Sequence, residues 1–242
     1  MCTANTEVVG DVTPEVKEEA PQEQLNSFMY FPTPVYTIKK EEFLVDARTV
    51  FNEHISAIKK EQKGKKDKLA EQLYPVTMTG NLFDPRLDKL LSYIAGTAWN
   101  ILQGQGFKMV DKVTFFTEFW GQEHHKHSAM DEHVHPYGAQ IVGFYFIDVP
   151  PESSRIVVHD PRPGKVMAHM PEDNAANVTE ASNMINFVAE PGMMFFANSW
   201  VPHSFTRHGS LKPLKFIHFN IGVRMNDQQV CPVVPETKAE VI

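Results

Sequence analysis

Eleven histidines lie in the 242 residues, and five of them fall between His124 and His135. Neutral imidazole is the side chain most often used to hold a transition metal. Within that stretch His133-Val134-His135 is an H-x-H. On a strand, residues two apart face the same side, so both rings could reach one ion from a single element. A third histidine, His203, follows far downstream in Pro202-His203-Ser204. Two ligands from one strand and one distant histidine make a metal site inside a β-barrel. A histidine-rich chain also produces an H-x-H by chance as a solvent-facing pair, and spacing alone leaves both readings open. Asp131 is an alternative carboxylate, sharing a strand face with His133. One ion cannot take Asp131, His133 and His135 together, because residues four apart on a strand are about 13 Å apart at Cα. The His133–His135 pair is the preferred one. His124, His125 and His127 read as a polar loop at the barrel mouth, with a second metal or a substrate contact as the functional alternative.

The elements that must carry these residues are legible in outline. Glu41 to Gln62 repeats Phe43, Leu44, Ala47, Val50, Phe51, Ile55 and Ile58 at helical spacing. A second helix opens with Asp84 as N-cap and Pro85 as first residue and closes at Gly104 and Gly106. From Lys112 the chain reads as strands: Lys112–Trp120, Ala139–Val149, Arg155–His159, Ile185–Glu190, Met193–Ala197 and Lys215–Val223. An earlier strand signal covers Phe28–Ile38. Two helices followed by six strands predict a mainly β protein, with the helices packed outside a sandwich or small barrel. One domain is expected over residues 27–225, between an acidic tail (1–26) and a C-terminal tail (226–242).

Composition narrows the function classes. Basic residues number 23 and acidic residues 30, a net charge of −7, which argues against a dedicated nucleic-acid binder. Lys59, Lys60, Lys63, Lys65, Lys66 and Lys68 form the one basic run, read as a solvated helix end. The two cysteines, Cys2 and Cys231, cannot build a disulfide framework or a cysteine-rich zinc site. The first residues lack the pattern of a secretory signal, and no apolar run reaches a membrane span, so a reducing cytoplasm is the expected setting.

The order of motifs carries a resemblance. His133-Val134-His135-Pro136 precedes the apolar run Ala139–Ile147; Asp160-Pro161-Arg162 follows a strand; Pro191-Gly192 leads to His203; and the last core strand contains Phe219-Asn220. This order resembles the iron(II)- and 2-oxoglutarate-dependent oxygenases, and more closely a branch often carried by marine phages. The resemblance is specific from His133 to Asn220 and weak before Lys112. It implies a double-stranded β-helix (jelly-roll) fold. It also implies Fe(II) as cofactor and 2-oxoglutarate as co-substrate, and hydroxylation of an unidentified small-molecule or protein substrate with release of succinate and CO2. A phage-encoded member would work in the host cytoplasm.

Carried over by position, His133 matches the first iron ligand and His203 the distal one. His135 stands where most relatives have Asp or Glu, which leaves three neutral ligands and equally suits a zinc site. The relatives' arginine for the co-substrate's far carboxylate falls on Leu214. Lys215 is then the expected cation, with Lys212 as the alternative, and Tyr145 and Asn220 as further co-substrate contacts. Asp160 and Arg162 match the family's D-P-R, for which a local salt bridge is the expected role. Two other readings stay open: a metallo-cupin of different chemistry, such as a thiol dioxygenase or zinc lyase, and a jelly-roll binding protein without catalysis. The Pro191-Gly192 pair lies 11–12 residues before His203, a spacing that suits the oxygenases better than a cupin.

Overall fold

The computed structural model describes residues 26–63, 75–135, 138–168 and 170–226. The chain divides into two units, Met1–Pro32 and Thr33–Ile242. Of the first, residues 26–32 are described. They form no helix or strand, and the Phe28 and Tyr30 rings stack 6.2 Å apart. The two expected tails lie almost entirely outside the described residues, as do Cys2, Cys231, Lys65, Lys66, Lys68, Pro136 and Tyr137.

In the second unit, β1 (Val35–Lys39) leads through a 3-10 turn into α1 (Leu44–Gln62). After β2 (Val76–Asn81), the Asp84 carboxylate accepts the Arg86 backbone N–H at 2.9 Å and Pro85 opens a 3-10 turn. That cap starts α2 (Asp88–Gly104), which buries Leu90, Ile94, Ala98, Ile101 and Leu102 along one stripe. The strands β3 (Lys112–His124), β4 (Met130–His133), β5 (Ala139–Asp148) and β6 (Ile156–His159) follow. The short α3 (Pro163–Met167) precedes β7 (Met184–Phe187), β8 (Met193–Asn198), β9 (His203–Phe205) and β10 (Leu214–Met225).

The strands form a six-stranded sheet, β1-β8-β5-β10-β3-β2, and a four-stranded sheet, β4-β9-β6-β7. Every described strand pairing is antiparallel. This is the double-stranded β-helix that the resemblance implies, and it agrees with the sandwich or small barrel expected from the strand count. Two strands, β2 and β9, lie outside the sequence expectation, and β3 extends four residues further than expected.

The centre of the larger sheet, β5, β8 and β10, is buried on both sides, so these strands read as continuous apolar runs rather than alternating ones. On β5, Ile141, Tyr145 and Ile147 face the helices, and Val142, Phe144 and Phe146 face the smaller sheet. On β10, Ile217, Phe219 and Ile221 join the helix-side core, and Leu214 and Phe216 join the core between the sheets. Burying one such side chain contributes roughly 2 kcal/mol. Gly143 sits where these layers are closest: a Cβ there would run into the Phe219 ring and the Phe195 carbonyl oxygen. This parity of β10 decides which side chains can reach the inside of the barrel.

Candidate metal centre

β4 and β9 pair with His133 directly opposite His203. Both rings turn inward, with centroids 4.6 Å apart, and His203 is 1% exposed. Each ring is fixed by the backbone carbonyl two residues before it. His133 Nδ1 donates to the Asp131 carbonyl oxygen at 2.8 Å, and His203 Nδ1 donates to the Val201 carbonyl oxygen at 3.0 Å. A carbonyl only accepts, so in the neutral rings the proton sits on Nδ1 and Nε2 is left with its lone pair. This is how a ligating histidine is oriented.

His135 reaches the same point by another route. β4 ends at His133, so the two histidines do not share a strand face as their spacing predicted. His135 is instead held by its backbone N–H, which donates to the Ser199 carbonyl oxygen at 2.9 Å. Its ring lies parallel to that of His203, with centroids 5.1 Å apart and Nε2 3.2 Å from His203 Nε2. The Asn220 side-chain amide donates to His135 Nδ1 at 3.1 Å and to the Glu118 carboxylate at 2.7 Å. Ligand atoms of His133, His135 and His203 all lie within 4.8 Å of one another. Burial holds His203 down at about 4, and burial, helped by the neighbouring histidines, holds His135 at about 3. Both rings are therefore neutral at pH 7 and able to ligate. Asp131 is outside this group: its backbone, not its carboxylate, serves His133.

The expected co-substrate residues divide by strand parity. Asn220 and His218 face inward beside His135, whose ring lies 4.9 Å from that of His218. Lys215 faces the opposite side. Its ammonium donates to Asn52 Oδ1 at 2.9 Å and pairs with Asp148 at 3.5 Å and Glu123 at 3.9 Å. Three residues along one strand put Lys215 and His218 on opposite faces, so the assignment of Lys215 to an interior carboxylate is corrected. Tyr145 is corrected for the same reason: its hydroxyl donates to the Lys40 carbonyl oxygen at 2.7 Å, on the helix side. The interior positions at the start of β10 are Leu214 and Phe216, both fully buried. Replacing Lys215 with Ala should therefore leave 2-oxoglutarate affinity unchanged. It should cost roughly 1–2 kcal/mol of stability through the lost bonds to Asn52 and Asp148, read from denaturant unfolding.

The D-P-R segment does what was expected of it. Arg162 Nη2 and Lys165 Nζ meet the Asp160 carboxylate at 2.7 and 3.2 Å, and the Asp160 carboxyl is held far below its ordinary range by Arg162. The polar-loop expectation fails for His124. It closes β3, is fully buried, and its ring packs on Phe205 and Phe216 at 5.6 and 5.1 Å. His125 pairs with Glu123 at 3.0 Å, outside the histidine cluster. Half-exposed Glu118 and partly buried Trp120 are the residues beside the site that sequence reasoning missed. Glu118 stands opposite Asn220 and Trp120 opposite His218 on β3, a register not readable from the chain.

Residues 118–220 match a family model described as "Putative 2OG-Fe(II) oxygenase". No curated protein matches the chain closely enough to count. Among solved structures, AviO1 from Streptomyces viridochromogenes Tue57 is similar with a TM-score of 0.53 at 10% identity, covering 78% of this chain and 90% of that one. The epimerase SnoN, solved with Fe3+, alpha ketoglutarate and nogalamycin RO, is similar with a TM-score of 0.50 at 12% identity, covering 86% of this chain and 88% of that one. Both are likenesses of fold.

Proposed function

We propose that this chain, whose residues 118–220 match a family model described as "Putative 2OG-Fe(II) oxygenase", is an iron(II)- and 2-oxoglutarate-dependent dioxygenase that hydroxylates a small-molecule or protein substrate. The observation that carries the proposal is the convergence of His133, His135 and His203 inside the barrel.

The donor set fits a divalent transition metal. His133 and His203 present Nε2 lone pairs, each ring held by the backbone carbonyl two residues before it. Three neutral imidazoles leave the ion its full charge, which favours an anionic co-substrate beside it. With iron(II) and 2-oxoglutarate held there, dioxygen would be the oxidant, one oxygen atom going to the substrate C–H as hydroxyl and the other to succinate, with CO2 released. The protein's part is to orient and to keep water out: Phe144 packs edge-on to His203 at 5.7 Å, and Trp120 lies 4.7 Å from His218. Of the residues expected to meet the co-substrate, Asn220 is the one beside His135, and its Oδ1 is buried without a hydrogen-bond partner. The expected cation is replaced by apolar Leu214 and Phe216, so the relatives' carboxylate anchor does not fit here and no step is derived through it.

A phage origin and a host-cytoplasm setting belong to this proposal. No described helix is long and apolar enough to cross a membrane. Anaerobic reconstitution with iron(II), followed by titration with 2-oxoglutarate, tests the function. The expected result is a visible charge-transfer band that saturates with one co-substrate per chain. An iron-loaded protein on which 2-oxoglutarate raises no band would overturn the co-substrate assignment and leave a metal protein of other chemistry.

A further inference from the structure

A second set of ligating atoms lies against the first. Glu118, His135 and His218 offer a carboxylate oxygen and two ring nitrogens within 4.8 Å of one another. His218 is 1% exposed, and its Nε2 is buried with no hydrogen-bond partner, 3.5 Å from the Glu118 carboxylate. A buried polar atom left unpaired costs free energy unless something satisfies it. The ring of His135 lies between those of His203 and His218, at 5.1 and 4.9 Å. Its two nitrogens face different sets: Nε2 is 3.2 Å from His203, and Nδ1 is turned to Asn220. The Asn220 amide nitrogen bonds both Glu118 and His135 Nδ1, so its two N–H groups already occupy a point where positive charge is favoured from two sides.

We propose that Glu118, His135 and His218 form a second divalent-metal site, contiguous with the first and sharing His135. Two imidazoles and one carboxylate suit Fe(II), Mn(II), Co(II) or Zn(II). Glu118 supplies here the anionic ligand that the three-histidine set lacks. Its side chain is half exposed, which gives an ion a route in, and His218 closes the inner side. Asn220 gives up its place between Glu118 and His135, and its unpaired Oδ1 becomes free to turn toward the ion. Holding both ions at once takes His135 as an imidazolate, Nε2 to one ion and Nδ1 to the other. Its N–H proton leaves to solvent, so charge balances. The inference shares only His135 with the proposed oxygenase centre, and the two can fail separately.

Anaerobic equilibrium dialysis with Co(II), with metal counted per chain, tests it. The full chain should bind two Co(II). Glu118→Gln and His218→Ala should each bind one, and so should His203→Ala. The Glu118→Gln change lies on a half-exposed side chain, so the test survives if the buried His218→Ala fails to fold. A wild-type stoichiometry of one overturns the two-ion centre. If that single ion is lost in His203→Ala and kept in Glu118→Gln, the three-histidine centre stands alone. If the pattern is reversed, the single ion sits at Glu118, His135 and His218, and the three-histidine reading falls instead.

Discussion

Replacing His203 with alanine removes stoichiometric binding at the three-histidine centre. The side chain is buried, its Nδ1 is committed to Val201, and only Nε2 is available to an ion. Loss of a residue that merely orients a ligand lowers metal affinity by about 10–100-fold, and loss of a ligand itself exceeds that. His133→Ala should behave alike, because the two face each other across β4 and β9. Iron(II) counted per chain after anaerobic reconstitution checks both, with circular dichroism to show that the fold persists. Full occupancy of this centre in both variants would reject the assignment. His135→Asp should retain a site with two histidines and one carboxylate, and Asp131→Ala should retain the wild-type one.

The second large effect is a loss of stability on acidification that originates in His124. Its Nε2 donates to Gln122 Oε1 at 2.7 Å, its Nδ1 has no partner, and burial holds it down at about 3. The unfolded chain binds this proton near pH 6.5 and the folded chain does not. Between about pH 6.5 and 3 the unfolded state therefore carries more protons, and stability rises with pH through that window. The contribution is complete above pH 6.5 and is lost as pH falls toward 3, with a ceiling of about 4–5 kcal/mol. His203 and His135 titrate in the same sense in the metal-free protein. Subtracting a His124→Phe variant isolates the share of His124. Urea unfolding of metal-free protein at steps from pH 7 to pH 4 measures it. Parallel curves for the two proteins would show that His124 is not the origin.

What could be read from the chain follows how local its cause is. The α2 boundary was legible because Asp84 and Pro85 act within one turn. That His133 and His203 come together was legible only through motif order, and their direct pairing was not, since nothing local sets a register between strands 70 residues apart (203 − 133). His135 joins them although the strand argument for it fails: the strand stops at His133, and a backbone bond to Ser199 does the positioning. Lys215 was misplaced although the information was present. Counting by twos from His218 and Asn220 reaches Phe216 and Leu214, and never residue 215. Glu118 and Trp120 had no sequence signal, because their partners lie across a strand pair with a bulge between Asn220 and Ile221.

The pairing of His133 with His203 also bears on how the small sheet holds together. β4 is one of its two edge strands and is only four residues long, bound on one side by the three-residue β9. So short an edge is the first part of a sheet to open. An ion shared by His133 and His203 acts as a clasp across that edge, closing a 70-residue span (203 − 133) of chain. By mass action, an ion at 100 times its dissociation constant adds about 2.7 kcal/mol to any opening that breaks the site. Amide exchange along β4 then becomes a gauge of occupancy. The strand that supplies the ligand is fastened by what it binds, and metal loss registers first as a loosened edge rather than as a melted core.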